Sequence, residues 1–164
     1  GFTLVEGSTA YGFHGLGNLA GVVLFSWMAD HVHRPRLLAS MFFLRAITFV
    51  LLLFIEADIG LMFMFAVIFG TLNFATFPVI ANIVATHLGV RILGLTLGLL
   101  FGGHSLGAAV GVSIGGWMFD QTAKYSWIWL LSIVLAALAG VFAILVKEIR
   151  PKRTEGGLVD GMVK

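Results

Sequence analysis

Arg45 is a charged side chain inside a long apolar stretch of this sequence. It lies nine residues beyond Arg36, which is about 13 Å into the stretch at the rise of an α-helix. An arginine at that depth in an apolar medium needs a partner or a water-filled cavity. Two interpretations stay open: Arg45 binds an anionic substrate or a gating partner, or it is a structural residue that donates to backbone carbonyls.

His104 is the second ionisable side chain of this kind, about twelve residues into the apolar run that begins near Ile92. A helical rotation of about 100° per residue places it on the same side as Gly107, Gly111 and Gly115. Its ring should therefore face other helices and not lipid. Imidazole changes charge between about pH 5 and 8, and intramembrane histidines occur in proton relays. His104 is a candidate for proton coupling; the alternative is a neutral histidine hydrogen-bonded to a neighbour.

Two short polar stripes interrupt other apolar runs. His14 and Asn18 are four residues apart, so they share a helix face with Tyr11. Asn73 and Thr76 are three residues apart and form a second polar patch near the middle of a run. Each stripe either faces a substrate or makes hydrogen bonds between packed helices, and the sequence leaves both possibilities open.

Two motifs of soluble enzymes occur but lack the context that their chemistry requires. Residues 103–107 fit the nucleophile-elbow pattern G-x-S-x-G, which needs an acid and then a histidine later in the chain, and no histidine follows His104. Residues 15–20 fit a dinucleotide-binding glycine pattern, which needs a preceding strand within a βαβ unit. Gly17 and Gly21 are better explained as a small-residue pair for helix packing. Neither motif predicts an enzyme.

The composition indicates that lipid is the solvent of this chain. Of 164 residues, 59% are hydrophobic and 11% are charged, and the mean hydropathy is +1.03, whereas soluble domains are about 25% charged. The absence of cysteine excludes disulfides and thiol chemistry. His31 and His33 have no nearby carboxylates at metal-ligand spacing. No metal, no cofactor and no nucleic-acid partner is predicted.

Polar breaks divide the sequence into five apolar runs of membrane-spanning length. They cover about residues 8–29, 37–55, 59–84, 92–118 and 127–146. We therefore predict an all-α, polytopic membrane protein with five transmembrane helices. Pro78 should kink the third helix because it removes one backbone hydrogen bond. Residues 1–150 would form the membrane segment, and residues 151–164 a cytoplasmic tail.

The fourth run carries glycines at four-residue steps, a spacing that lets helix backbones approach closely in a bilayer. Gly94, Gly98 and Gly102 lie on one side of the helix, and Gly107, Gly111 and Gly115 lie on roughly the other side. The pattern predicts a helix packed on two sides. Part of that packing would be against helices that this chain does not contain.

The distribution of charge predicts how the helices are oriented. One set of helix ends carries most of the cations, which are Arg34, Arg36, Arg91, Lys147, Arg150, Lys152 and Arg153. The other set carries only Lys124 beside three acidic residues. The positive-inside rule places the first set, and the end of the chain, in the cytoplasm. An aromatic belt is predicted at the opposite ends of the last two helices, formed by Trp117, Tyr125, Trp127 and Trp129. The membrane would be a cell inner or plasma membrane.

The loop SWMADHVHRPR after the first run resembles the loop motif of the major facilitator superfamily. That motif reads G-x-x-x-D-R-x-G-R and is followed by a further basic residue. In this chain, Asp30 and Arg34 match it. Departures occur at Ser26, His31, His33 and Pro35. Two later segments, THLGVRILGLTLG and FGGHSLGAAVGVSIGGWMFDQTAKYSW, resemble the entry to the eleventh helix, that helix and the loop after it. They are most similar to the monocarboxylate-porter-like branch of the superfamily.

The resemblance implies that the chain forms helices eight to twelve of a twelve-helix transporter built from two halves. The missing N-terminal half would be a partner, together with the lipid bilayer and a small solute. The implied activity is secondary active transport, perhaps of an organic anion, by alternating access and without covalent chemistry. The tenth helix of the superfamily lines the cavity, which favours Asn73 and Thr76 as substrate-binding residues beside His14, Asn18 and Arg45. Asp30, Arg34 and Arg36 would form a cytoplasmic gate.

Two alternatives remain from the sequence. A membrane-embedded enzyme would need clustered ligands or nucleophile partners, but the five histidines are scattered over different helices and depths. A scaffold or receptor half that transports nothing is the other alternative. Upstream sequence with seven further helices and a matching G-x-x-x-D-R-x-G-R loop would argue against that second alternative.

Overall fold

A computed structural model describes residues 3–54 and 58–148, and these residues form helices without strands. A short 3-10 turn, Val90–Ile92, precedes the fifth helix. The described residues contain six α-helices, which are α1 (Leu4–His31), α2 (Arg34–Leu52), α3 (Ile59–Asn73), α4 (Thr76–Leu88), α5 (Leu93–Thr122) and α6 (Ser126–Leu145). The all-α prediction is confirmed for the part described. The predicted tail, residues 151–164, and its cations lie outside the described residues.

Four helical stretches of the described chain are long and apolar enough to cross a membrane. They are Arg34–Leu52, Ile59–Leu88, Val90–Thr122 and Ser126–Leu145. α1 has 28 residues but is not in this set, because polar groups such as His14 and Asn18 lower its hydropathy. Each of the five predicted spans overlaps helical structure, and the third span covers two helices, α3 and α4. The chain is therefore a multi-pass membrane protein.

Side-chain and glycine caps set several helix ends. At the start of α1, Thr3 Oγ1 accepts from the Glu6 N–H, and the Thr3 N–H donates to Glu6 Oε2 at 2.7 Å. This backbone hydrogen bond to the carboxylate lowers the pKa of Glu6 below its ordinary value. Asp58 Oδ1 caps α3 by accepting from two N–H groups. Gly89 ends α4 with a φ of 79°, a backbone conformation that favours glycine.

α2 and α6 pack along each other in opposite directions. At one end the Arg34 N–H donates to Glu148 Oε1 at 3.3 Å. At the other end the rings of Phe49 and Trp129 stack with their centroids 6.4 Å apart. Between these ends, the ring of Phe43 lies within 3.1 Å of where a Cβ at Gly140 would stand. The pair therefore extends over the full length of both helices.

α1 runs parallel to α3, and three glycines bring the two backbones into contact. A Cβ at Gly17 would lie 2.7 Å from the carbonyl oxygen of Val67. A Cβ at Gly21 would overlap the backbone carbonyl of Thr71, and one at Gly70 would overlap that of His14. No larger residue fits at these positions without a backbone shift. The small-residue packing predicted for Gly17 and Gly21 is therefore present in the structure.

The third apolar run is interrupted between α3 and α4, at Phe74 and Ala75. The break lies one helical turn before Pro78, which has no N–H to donate to the Phe74 carbonyl. That carbonyl accepts from the Phe77 N–H at 3.1 Å. The buried core lies at the break and along the facing part of α2, and it contains Met41, Leu72, Ala75 and Val79.

α5 makes few contacts with the rest of the described chain, and none of its residues is buried. Its ring contacts to α4 come from Phe77, which stacks on Phe101 at 4.6 Å between centroids. Apart from the adjacent residues and the nearby backbone of α5 itself, no atom of the described residues lies within 4 Å of a Cβ built at Gly94, Gly98, Gly102, Gly107 or Gly111, and Gly115 meets only Ile128 at 3.6 Å. Close packing of both glycine rows therefore remains a prediction.

Candidate functional site

Arg45 extends from the middle of α2 to the break between α3 and α4. Its Nη2 donates to the carbonyl oxygen of Leu72 at 2.6 Å and to that of Asn73 at 3.0 Å. These carbonyls end α3, where helices leave acceptors without intrahelical donors. The contacts correspond to the structural interpretation of Arg45, in which the guanidinium satisfies backbone carbonyls.

The same guanidinium has donors that these carbonyls do not use. Its carbon lies 5.6 Å from the ring centroid of Phe42 and 5.9 Å from that of Phe69, distances typical of cation–π contacts. Nε is buried and has no hydrogen-bond partner among the described residues. A buried N–H without an acceptor is costly, so a ligand or water oxygen would stabilise this side of Arg45.

Two adjoining cavities meet at Arg45. One has a volume of about 200 Å³ and lies between α2, the α3–α4 break and α5. The other has a volume of about 500 Å³ and lies between α2, α3, α5 and α6. Both are lined by Phe42, Arg45, Asn73 and His104. We call these two cavities and their shared lining the Arg45 cavity.

Thr76 and His104 complete the polar lining of the Arg45 cavity. Thr76 is buried and its Oγ1 donates to the carbonyl of Asn73 at 3.1 Å. The ring of His104 meets that of Phe77 edge-on, with centroids 5.8 Å apart, and His104 is otherwise exposed. The structure therefore brings together four of the residues that the sequence suggested for substrate binding or proton coupling. They come from α2, the α3–α4 break and α5.

His14 and Asn18 lie on the contact between α1 and α3, and the described residues place neither on the wall of the Arg45 cavity. The ring of His14 stacks on Tyr11 at 5.7 Å and meets Phe69 at 5.9 Å between centroids. Asn18 Oδ1 accepts from the Phe74 N–H at 3.3 Å. Both contacts match the helix-packing interpretation of this stripe.

A further cavity of about 580 Å³ is lined by apolar side chains only. Its lining consists of Phe13, Phe63, Met64, Val67 and Ile68. A lining of this kind has no group that could orient a polar solute, so the Arg45 cavity is the better candidate site.

The three predicted gating residues lie at the end of the molecule where α1 meets α2. Asp30 Oδ1 accepts from the side-chain amide of Asn82 on α4 at 3.4 Å. Arg34 Nε donates to the Ala29 carbonyl at 3.1 Å, and the side chain of Arg36 is exposed. Asn82 therefore joins this group through its hydrogen bond to Asp30.

A second set of contacts at this end was missed by the sequence analysis. His33 Nε2 lies 3.2 Å from Glu148 Oε2, and His87 Nε2 lies 2.7 Å from the Lys147 carbonyl oxygen. The available signal was Glu148 itself, a single acid within the basic run KEIRPKR. Among the described residues, no group of three metal-ligating side chains occurs, so none of these histidines belongs to a candidate metal site.

Comparison with known proteins yields one family. The family model described as Major Facilitator Superfamily matches residues 1–160 of the chain. No curated protein and no solved structure matches it significantly.

Proposed function

The chain belongs to the major facilitator superfamily, a family of membrane transporters, and on that premise we propose that it forms helices eight to twelve of a secondary active transporter. The motif-like loop around Asp30 and Arg34, and the glycine-rich segment around α5, support this position in the chain and the monocarboxylate-porter-like branch. The N-terminal half of the same transporter would supply the opposite wall of the substrate path.

The solute that we propose is a small organic anion such as a monocarboxylate. The observation that carries this proposal is the buried Nε of Arg45, which has no partner among the described residues beside a cavity of sufficient size. A guanidinium presents its N–H groups in a fixed fork that matches a carboxylate. Arg45 can therefore keep Nη2 on the α3 carbonyls while the rest of its guanidinium attracts a bound anion.

The other polar groups of the Arg45 cavity have complementary roles in this proposal. Asn73 and Thr76 supply neutral hydrogen-bonding groups beside the anion. His104 lines both parts of the cavity, so a proton on its ring would add positive charge beside the solute and leave with it. His14 and Asn18 support the site indirectly, because Asn18 holds the Phe74 backbone at the break that carries Asn73.

Alternating access requires that the two halves of the transporter move against each other. We propose that the glycine-rich α5 forms one sliding interface with the other half, where small residues permit close contact. Asp30, Arg34 and Arg36 would gate the cytoplasmic end, with the Asn82–Asp30 hydrogen bond tying α4 to α1. The positive-inside rule supports a cytoplasmic C-terminus in a cell inner or plasma membrane.

The deciding measurement is uptake of a labelled organic anion into proteoliposomes that contain the full transporter. Arg45→Lys should lower uptake at least several-fold without loss of expression, since lysine cannot bond to two carbonyls and an anion in the same planar arrangement. Arg91→Lys, in the 3-10 turn, is the matched control and should transport normally. Unchanged uptake in Arg45→Lys would remove Arg45 from the site.

The same assay tests coupling when it is repeated over a range of pH. His104→Gln should abolish the pH dependence of uptake, whereas the exposed His31→Gln should retain it. A full transporter that moves no solute but cleaves one would contradict the proposal as a whole.

A further inference from the structure

The Arg45 cavity is lined by aromatic rings on the side formed by α2 and α3. Phe42, Arg45 and Phe49 are three and four residues apart, so they share one face of α2. On α3, Phe69 stands four residues before Asn73, and both line the larger part of the cavity. The rings of Phe49 and Phe69 meet at 5.5 Å between centroids, with their planes 54° apart. This side of the cavity therefore combines a single guanidinium with three phenyl rings.

The facing side of the larger part, formed by α5 and α6, carries mostly small side chains. Gly107 and Ala108 line it from α5, and Ala136 and Ala139 line it from α6. None of these four residues has more than one methyl group, and Leu135 is the one large aliphatic side chain there. Small residues therefore keep a space open opposite the rings, and this part of the cavity has a volume of about 500 Å³.

The cavity has few hydrogen-bonding side chains that a solute could use. Thr76 Oγ1 donates to the Asn73 carbonyl, and Ser132 Oγ donates within its own helix at 2.9 Å, so both hydroxyl hydrogens are already engaged. The side chains of Asn73 and His104 remain beside the guanidinium, and they line both parts of the cavity. A buried polar group without a partner is costly. The described walls therefore suit a solute that is polar at one end and apolar along the rest of its length.

We propose that the organic anion has an aromatic body, an inference that rests on the function proposed above. Its carboxylate lies at Arg45 beside Asn73, and its ring lies in the larger part of the cavity against Phe49 and Phe69. Aromatic rings attract one another in offset and edge-on arrangements, beyond the gain from burying apolar surface. An acid of two or three carbons would reach the guanidinium but leave these rings uncovered, so it would bind without that contact.

Phe49 is the specificity-determining residue in this arrangement. Its ring lines the larger part of the cavity, but the two rings that lie over the guanidinium are those of Phe42 and Phe69. Phe49 also stacks on Trp129, with 6.4 Å between centroids. Replacing Phe49 therefore changes the surface offered to the body of the solute without removing either ring from Arg45.

Uptake of matched acids into proteoliposomes that contain the full transporter tests the proposal. After subtraction of uptake into protein-free liposomes, kcat/KM for phenylacetate should exceed that for acetate at least about tenfold, and it should exceed that for cyclohexylacetate, the saturated counterpart, several-fold. Equal efficiency for acetate or cyclohexylacetate would overturn the aromatic body and leave an organic-anion transporter in place. Uptake of none of the three acids would contradict the function proposed above as well.

A pair of ring substitutions assigns the preference to the Arg45 cavity. Phe49→Leu removes a ring and keeps an apolar side chain, so the preference for phenylacetate over cyclohexylacetate should disappear. Phe63→Leu removes a ring from the separate apolar cavity and should retain the preference. The same preference in Phe49→Leu as in the unsubstituted protein, or its loss in Phe63→Leu, would overturn the assignment.

A pair of alanine substitutions tests where the aromatic body lies. Ala108→Leu fills the space opposite the rings, so it should lower phenylacetate uptake several-fold and retain acetate uptake. The neighbouring Ala109→Leu lies outside the lining of the cavity and should leave the ratio of the two acids unchanged. An Ala108→Leu protein with an unchanged ratio, including one that loses uptake of both acids equally, would overturn the placement of the aromatic body.

Discussion

α1 and α5 both carry glycines at four-residue steps, but their surroundings differ completely. Gly17 and Gly21 of α1 lie against the backbone of α3, where no Cβ fits. Gly98 and Gly102 of α5 have no atom of the described chain within 4 Å of a Cβ. The spacing shows that a helix can be approached closely. It does not show which partner approaches, or whether that partner belongs to the same segment of chain.

The difference has a consequence for motion. α1 and α3 are joined by backbone contact and by the Asn18–Phe74 hydrogen bond, so they should move as one body. α5 has no buried residue and leaves large side chains such as Leu99 and Leu106 about 70% exposed. The surface of α5 is therefore left to lipid or to the other half of the transporter.

The largest effect is expected from Gly21→Ala in α1. Its Cβ would overlap the Thr71 carbonyl, and forcing a methyl group into a closely packed contact costs about 1–3 kcal/mol. We expect a clear fall in the thermal unfolding midpoint of the detergent-solubilised transporter, together with lower expression. A midpoint equal to that of the unsubstituted protein would show that α1 and α3 are not in backbone contact.

An intermediate effect is expected from Asn18→Ala, which removes the acceptor for the Phe74 N–H. Hydrogen bonds between membrane helices contribute about 0.6 kcal/mol on average and at most about 1.7 kcal/mol. The matched substitution in α5 is Ser105→Ala, since Ser105 Oγ donates within its own helix to the Phe101 carbonyl. The unfolding midpoint should fall in Asn18→Ala and stay unchanged in Ser105→Ala; equal falls would contradict the distinction between the two helices.

The smallest effect is expected from Gly102→Ala in α5, the counterpart of Gly21→Ala. The new methyl group meets no atom of the described chain, and alanine is itself among the small residues that helix interfaces in membranes accept. The change in the unfolding midpoint should correspond to a change of less than about 1 kcal/mol in the free energy of unfolding. A fall as large as that of Gly21→Ala would show that another segment of the transporter packs directly on Gly102.

Much of the architecture was predictable because local properties of the chain determine it. A membrane-length apolar run must satisfy its own backbone, so helices were the expected structure, and the polar breaks located them to within a few residues. Pro78 predicted a disturbance in the third run, but not that the helix would break one turn earlier at Phe74 and Ala75. The superfamily was predictable from the loop around Asp30 and is confirmed by the matched family.

The candidate site was only partly predictable. Arg45, Asn73, Thr76 and His104 were chosen because polar groups inside apolar runs are costly and therefore serve a purpose. Their meeting in one cavity was not predictable, because it depends on how α2, the α3–α4 break and α5 pack. His14 and Asn18 satisfied the same sequence criterion and instead lie on a helix contact.

The sequence by itself indicated the solvent, the helical class and the set of costly polar groups, because each of these follows from residue type and spacing along one chain, and its resemblance to a known loop motif indicated the family. The tertiary structure alone decided which of those groups share a space and which glycines touch a backbone. It also decided that His87 meets the Lys147 carbonyl, 60 residues away in sequence. Contacts between distant segments depend on the packing of whole helices, and no local pattern in the chain encodes that packing.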